Sequence, residues 1–165
     1  MSSRLAYDYL LSVNEDHLSR WWAGDIWKWS VPTKLKCFYW LILQNRVLTW
    51  ENLCRRGWQG PDICMLCQND VELMDHLFIQ CSFVLNIWQS VYASLMVEWT
   101  WDIPTIKECM LLWIRKNRAQ KPLPIFICRG IWICRNHWIF EGIKPNAFLT
   151  CIRILQLYKE YWTPA

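Results

Sequence analysis

Cys64, Cys67, His76 and Cys81 follow the pattern C-x2-C-x8-H-x4-C within 18 residues, and no other feature limits so tightly how this chain can fold. Two cysteines three positions apart close a turn around one ion, and a histidine and a third cysteine complete a tetrahedron. Thiolate and imidazole donors in this number suit Zn2+. With all four positions filled by protein, no coordination position is left open for catalysis. The pattern predicts one structural Zn2+ stapling the middle of the chain.

A C-x2-C pair also serves thiol redox centres, which need a βαβ setting and a reactive thiol at a helix start. Here the surroundings from Asp62 to Asp70 are acidic and loop-like. Nearby negative charge raises a thiol pKa, whereas a bound dication holds thiolates deprotonated. His17 and His137 are rival ligands, but each lies far from a second donor at metal spacing. Cys54 could replace Cys64 only in a swapped register, and it lacks a partner at the x2 spacing.

Charge is distributed in blocks around this motif. The net charge of +4 is modest. From His17 to Gly60, however, Arg20, Lys28, Lys34, Lys36, Arg46, Arg55 and Arg56 face only Asp25 and Glu51. Lys107 to Arg135 is a second basic block, with Glu108 its single acid. Between them, Pro61 to Gln80 carries Asp62, Asp70, Glu72 and Asp75 and no base. Three thiolates around one dication add a further negative charge. Phosphate contacts, if the chain makes them, therefore belong on the flanking basic helices and not on the metal loop. The other reading of those bases is an ordinary solvated helix surface.

Periodicity predicts a mostly α fold, with the metal knuckle between helices and further helices after it. Helices are expected over Leu5–Val13, from Pro32/Thr33 to Asn45, and over Trp50–Arg56, capped by Thr49 and ended by Gly57. Asp75 to Cys81 reads as one helical turn, and Ser82 caps a helix over Phe83–Met96 with an apolar stripe at Val84, Ile87, Trp88, Val91 and Leu95. Thr105-x-x-Glu108 is a capping box for a helix to Asn117. Two more are expected over Ile125–Glu141, ended by Gly142, and over Ala147–Trp162. Residues 1–100 form the metal-binding unit and 101–165 a helical extension, with the boundary near Trp101.

The nine cysteines are odd in number, and Met1-Ser2-Ser3-Arg4 opens no apolar signal region. Cys37, Cys109, Cys128, Cys134 and Cys151 fall in apolar helical stretches, where a free thiol packs as a small hydrophobe. These features predict an intracellular protein of the cytoplasm or nucleus, not a secreted one. The most apolar run, Leu123–Phe140, is interrupted by Arg129, Arg135, Asn136 and His137, which argues against a membrane partner.

Several motifs coincide with one known family. Trp27-Lys28-x2-Val31-Pro32-x-Lys34-x-Lys36-x-Phe38-x-Trp40-Leu41 and Asn45-Arg46-Val47-Leu48-Thr49-x2-Asn52-Leu53-x2-Arg56-Gly57 resemble the zinc-binding domain of plant LINE-type (non-LTR) retrotransposon reverse transcriptases. So do Cys64-x2-Cys67, Glu72-x3-His76-Leu77-Phe78-x2-Cys81 and Ile87-Trp88. The resemblance is dense from Ala6 to Val91. Ile131-Trp132-x2-Arg135-Asn136-x3-Phe140 is similar to the segment that precedes an RNase H-like domain in such elements. The spacer between Cys67 and His76 is longer than in retroviral-type C-x2-C-x4-H-x4-C knuckles, and the resemblance makes it a family trait.

The resemblance implies a module that helps a retrotransposon polyprotein handle its RNA or DNA. Lys28, Lys34, Lys36, Arg46, Arg55 and Arg56 would contact phosphates, and Trp27, Trp29, Trp50 and Trp58 would either stack on bases or join the core. The alternative is a structural module docking on the polymerase or RNase H-like domains of the same element. No acids suited to polymerase or RNase H two-metal chemistry are present, so neither catalysis nor a small-molecule substrate is expected. The chain reads as an excised, relic or domesticated piece.

Overall fold

The computed structural model describes residues 21–98, 103–116 and 120–161. Seven α-helices are seen among them: α1 (Trp21–Lys28), α2 (Thr33–Leu43), α3 (Trp50–Cys54), α4 (Ser82–Ser94), α5 (Ile106–Lys116), α6 (Leu123–Glu141) and α7 (Ala147–Tyr161). A five-residue π-helix, His76–Gln80, precedes α4. The described residues contain no strand, only an isolated antiparallel bridge between Ile63 and Val71. The helix expected over Leu5–Val13, His17, Arg20 and the boundary near Trp101 lie outside the described residues.

Local chemistry accounts for most helix ends. α2 stops at Leu43, short of the expected Asn45, because Asn45 takes a left-handed φ of 50° and the Arg46 N–H closes back on the Leu41 carbonyl at 2.8 Å. Asparagine tolerates that conformation better than any other residue with a Cβ. α6 ends in the same way, with Gly142 at φ 66° and the Ile143 N–H on the His137 carbonyl. It begins at Leu123, earlier than expected, since Pro124 is accepted in a first turn where no N–H is needed. The Asn146 side chain accepts the Leu149 N–H at 2.9 Å and starts α7.

Of the expected caps, one is replaced by a longer-range partner and one makes no bond. Thr49 precedes α3, but its hydroxyl is buried without a hydrogen-bond partner. The Glu72 carboxylate instead accepts the Trp50 N–H at 2.8 Å. α3 itself ends at Cys54, and a turn leads on to Gly57 at φ 87°. Ser82 likewise makes no capping bond: α4 begins at Ser82 itself and stops at Ser94, two residues before the expected Met96. For α5 the Thr105 hydroxyl does accept the Glu108 N–H, and Asp75 accepts the Ile106 N–H at 2.7 Å from across the fold.

One hydrophobic core runs through the described residues. Val84, Ile87, Trp88 and Val91 recur at helical spacing and are fully buried on α4, which lies against α7 and the π-helix. α6 packs on both α7 and α2, and its first half, Leu123 to Cys128, is buried all round. α2 also touches α1 and α5. The helices after the metal loop thus cover the apolar faces of those before it. The fully buried indoles of Trp88 and Trp113 donate to the Phe78 carbonyl at 2.7 Å and to that of Gln120 at 3.0 Å, whereas the indole N–H groups of Trp50 and Trp138 are buried without a partner. No helix among the described residues is long and apolar enough to cross a membrane.

Candidate metal centre

The C-x2-C pair sits on a turn that the spacer folds back upon. The Cys64 N–H donates to the Asp70 carbonyl and the Glu72 N–H to that of Asp62, each at 2.7 Å, which zips the loop across the Ile63–Val71 bridge. Gln68, just after Cys67, takes a φ of 58° to reverse the chain. The spacer is therefore not slack: Gln68 to Glu72 form the turn and return arm of a hairpin, and Met74 and Asp75 begin the helical turn that follows.

His76 and Cys81 come from the π-helix and the residue after it. The wide turn is closed by the Cys81 N–H on the His76 carbonyl at 2.8 Å. Bonding from i to i+5 stacks residues five apart, whereas 3.6 residues per α-turn would set them on well-separated faces. The expected helical turn does deliver both ligands, as a π-turn whose width, with the extended backbone of Cys81 after it, presents the H-x4-C donors to one side.

All four donor atoms lie within 4.8 Å of one another. Cys67 Sγ is 3.3 Å from His76 Nε2, and Cys64 Sγ is 4.0 Å from Cys81 Sγ. A tetrahedral zinc with Zn–S near 2.3 Å and Zn–N near 2.0 Å holds its donors about 3.5–3.8 Å apart. The cluster fits that ion. Cys64, Cys81 and His76 are buried and Cys67 is partly so. The Cys81 thiol beside it, together with the Cys67 and Leu66 N–H groups, pulls the Cys64 thiol down to about 5 against the opposing effect of burial. Cys81, facing that thiolate and buried, is pushed up. Cys64 and Cys81 would both be held as thiolates by a bound dication, in place of the proton they share here.

Cys54 is exposed on α3 and takes no part in the cluster, so the swapped register is ruled out by position. His137 lies 3.8 Å from Glu141, one turn along α6. Of the other cysteines, Cys109, Cys128, Cys134 and Cys151 are buried as expected, but Cys37 is exposed.

Two acids of the loop, Glu72 and Asp75, are structural, which composition alone did not suggest. Glu72 is 1% exposed and receives the Arg135 guanidinium on both oxygens, at 2.6 and 3.2 Å, while also capping α3. Arg135 in turn lies over the Trp132 ring. Asp75 caps α5, and Glu51 returns the favour from α3 by accepting the Met74 N–H at 3.1 Å. The available signal for this pair was an arginine embedded in the apolar run of α6, since a buried charge calls for a partner.

Lys28, Lys34, Arg46, Arg55 and Arg56 are exposed and Lys36 is half-buried, its ammonium donating to the Trp27 carbonyl. Arg55 also pairs with Glu51. In the second basic block Arg135 is spent on Glu72 and Arg129 lies over the Phe38 ring. Among the four tryptophans, Trp29 is core, Trp50 is half-buried, and Trp27 and Trp58 are exposed. Phe140, Ile143, Phe148 and Leu149 leave apolar surface beside a groove of about 380 Å3 between α6 and α7.

The family profile described as "zinc-binding in reverse transcriptase" matches residues 1–88. A curated protein of Arabidopsis thaliana, named "Putative ribonuclease H protein", is 31% identical over 86 residues, covering 47% of this chain and 14% of that protein. The chain thus corresponds to a small part of that relative's length. No solved structure matches.

Proposed function

The chain belongs to the family of zinc-binding domains in reverse transcriptases, and we propose that its zinc-stapled helices help a retrotransposon-encoded polyprotein hold RNA or DNA. One structural Zn2+ held by Cys64, Cys67, His76 and Cys81 is its cofactor. Four protein donors close that site, so the module itself contributes binding and not chemistry. The observation that carries the reading is the set of exposed bases, Lys28, Lys34, Arg46, Arg55 and Arg56, on the elements leading into the metal loop. Lys36 borders them. Of the loop acids, Glu72 and Asp75 are taken up by pairing with Arg135 and by capping helices, while Asp62 and Asp70 stay exposed on the metal loop, away from these bases in sequence. The plant relative named for ribonuclease H fits an element in which such a module neighbours an RNase H-like domain of a non-LTR polyprotein.

Fluorescence anisotropy across a salt series tests this. Contacts to three or more phosphates give a log–log slope of about −2 or steeper on single strands. A flat plot, or no binding at low salt, refutes it.

A second reading rests on Phe140, Ile143, Phe148 and Leu149, which are exposed at the α6–α7 end. This surface would dock on a polymerase or RNase H-like domain. The apolar stripe of α4 is not available for it, being already covered by α7. Micromolar self-association of the isolated chain without nucleic-acid affinity would favour this reading.

A further inference from the structure

Resting on the nucleic-acid reading, we propose that the turn closing α3 is a stacking platform for an unpaired nucleotide of single-stranded RNA or DNA. Trp58 supplies the aromatic plane, and Arg46, Arg55 and Arg56 supply the phosphate contacts.

Trp58 is 65% exposed in a chain whose Trp88, Trp113, Tyr39 and Phe126 are wholly buried. Its exposure is built in, because the segment that carries it is held at both ends. The Trp58 N–H donates to the Leu53 carbonyl, and Gly57, at φ 87°, swings the chain out from α3. Two residues later Gly60 lies so close over the Trp50 indole that a Cβ there would come within 2.6 Å of it. One tryptophan anchors the turn and the other is displayed by it. An aromatic face held open in this way loses little conformational freedom when a base stacks on it.

The arginines are gathered by Asn52, a buried side chain. Its amide nitrogen donates to the carbonyls of Asn45 and Val47 at 2.9 and 2.8 Å, the two residues flanking Arg46. Its oxygen accepts from the Arg55 guanidinium at 3.3 Å. Arg46 and Arg55 are thereby set at the two ends of one amide, and Arg56 and Trp58 follow directly in the chain. Glu51 is the neighbouring acid, and its carboxylate is divided between Arg55 and the Met74 N–H. The Arg55 side chain remains 60% exposed, with donors to spare for a phosphate.

An indole plane needs a base free of its own stack, so the platform selects single strands over duplex. The test uses zinc-loaded full chain with labelled oligouridylate and oligothymidylate of about twelve nucleotides, and a duplex of equal length. Trp58→Ala should weaken both single-strand arms on the order of tenfold and leave duplex affinity within about twofold, whereas Trp58→Phe should keep most of the binding. Arg46→Gln should lower the salt slope by about one contact's worth in all arms. Circular dichroism checks that the exposed substitution leaves the fold intact. Single-strand binding that persists unchanged in Trp58→Ala overturns the platform while the nucleic-acid reading stands. Absence of salt-dependent binding to every probe overturns both.

Discussion

Replacing Arg135 by methionine isolates the tie between the metal loop and the helices that follow it. Methionine keeps an apolar stem against Trp132 but removes both guanidinium bonds to Glu72. The carboxylate, 1% exposed, is left with the Trp50 N–H alone. Breaking a buried pair from one side costs about 3–5 kcal/mol, because a charge stays desolvated without its partner. Against a total of about 5–15 kcal/mol for a domain, that is a large share, and the melting temperature should fall on the order of 10 °C. Urea unfolding of the zinc-loaded protein, followed by circular dichroism and tryptophan fluorescence, measures it. Hydrogen exchange should quicken in α3 as well as α6, since the same carboxylate caps one and pairs with the other. Arg135→Met with Glu72→Gln removes both charges, so the double variant should lie above the sum of the singles by about 2 kcal/mol. A single-variant loss under about 1 kcal/mol, or strict additivity, would refute the reasoning.

Other perturbations probe the staple, the helix contact and the buried thiols. Cys64→Ser or His76→Ala should drop bound zinc below half an equivalent by metal analysis and unfold the region from Thr49 to Val91, since zinc binding contributes about 10–16 kcal/mol in small modules. Retained zinc would sink the assignment. Gly130→Ala would place a Cβ within 2.3 Å of Ile154 Cγ1, so the buried Ile154 side chain must leave its rotamer or α6 and α7 must part, at a cost of about 1–3 kcal/mol read from the urea midpoint. An unchanged midpoint would show that the two helices are not in close register there. Burial pushes the Cys109 thiol up to about 12 and raises Cys128 as well. Both thiols hold their protons in the fold after the unfolded chain has lost them. The stability this provides is intact below about pH 9 and declines above it, by up to about 1.4 kcal/mol per pH unit per thiol. Equal urea stability at pH 8 and pH 10 under reductant would contradict it.

The ligand set was legible from spacing because metal coordination is a local demand: donors of the right softness within 18 residues have few other uses. The helical periods were legible for the same reason, as in the Val84, Ile87, Trp88, Val91 stripe, where burial follows the 3.6-residue repeat. A helix end set by a residue's own conformation, such as Gly142, could also be read, as could the reversal at Gly57, although α3 stops earlier, at Cys54. What periodicity could not supply was the π-turn at His76–Gln80, because its width answers to a ligand direction. Nor could it say which of the bases remain exposed. Arg135 and Arg46 are the same residue type in similarly basic stretches, yet one is sealed on Glu72 and the other is exposed beside α3. The C-x2-C-x8-H-x4-C motif by itself determined the ion, and the 3.6-residue apolar period the mostly helical frame around it. Only the tertiary structure decided that Glu72 and Asp75 of its long spacer serve as helix caps and as a buried counter-ion, since those partners lie up to 63 residues away and no local pattern encodes such a distance.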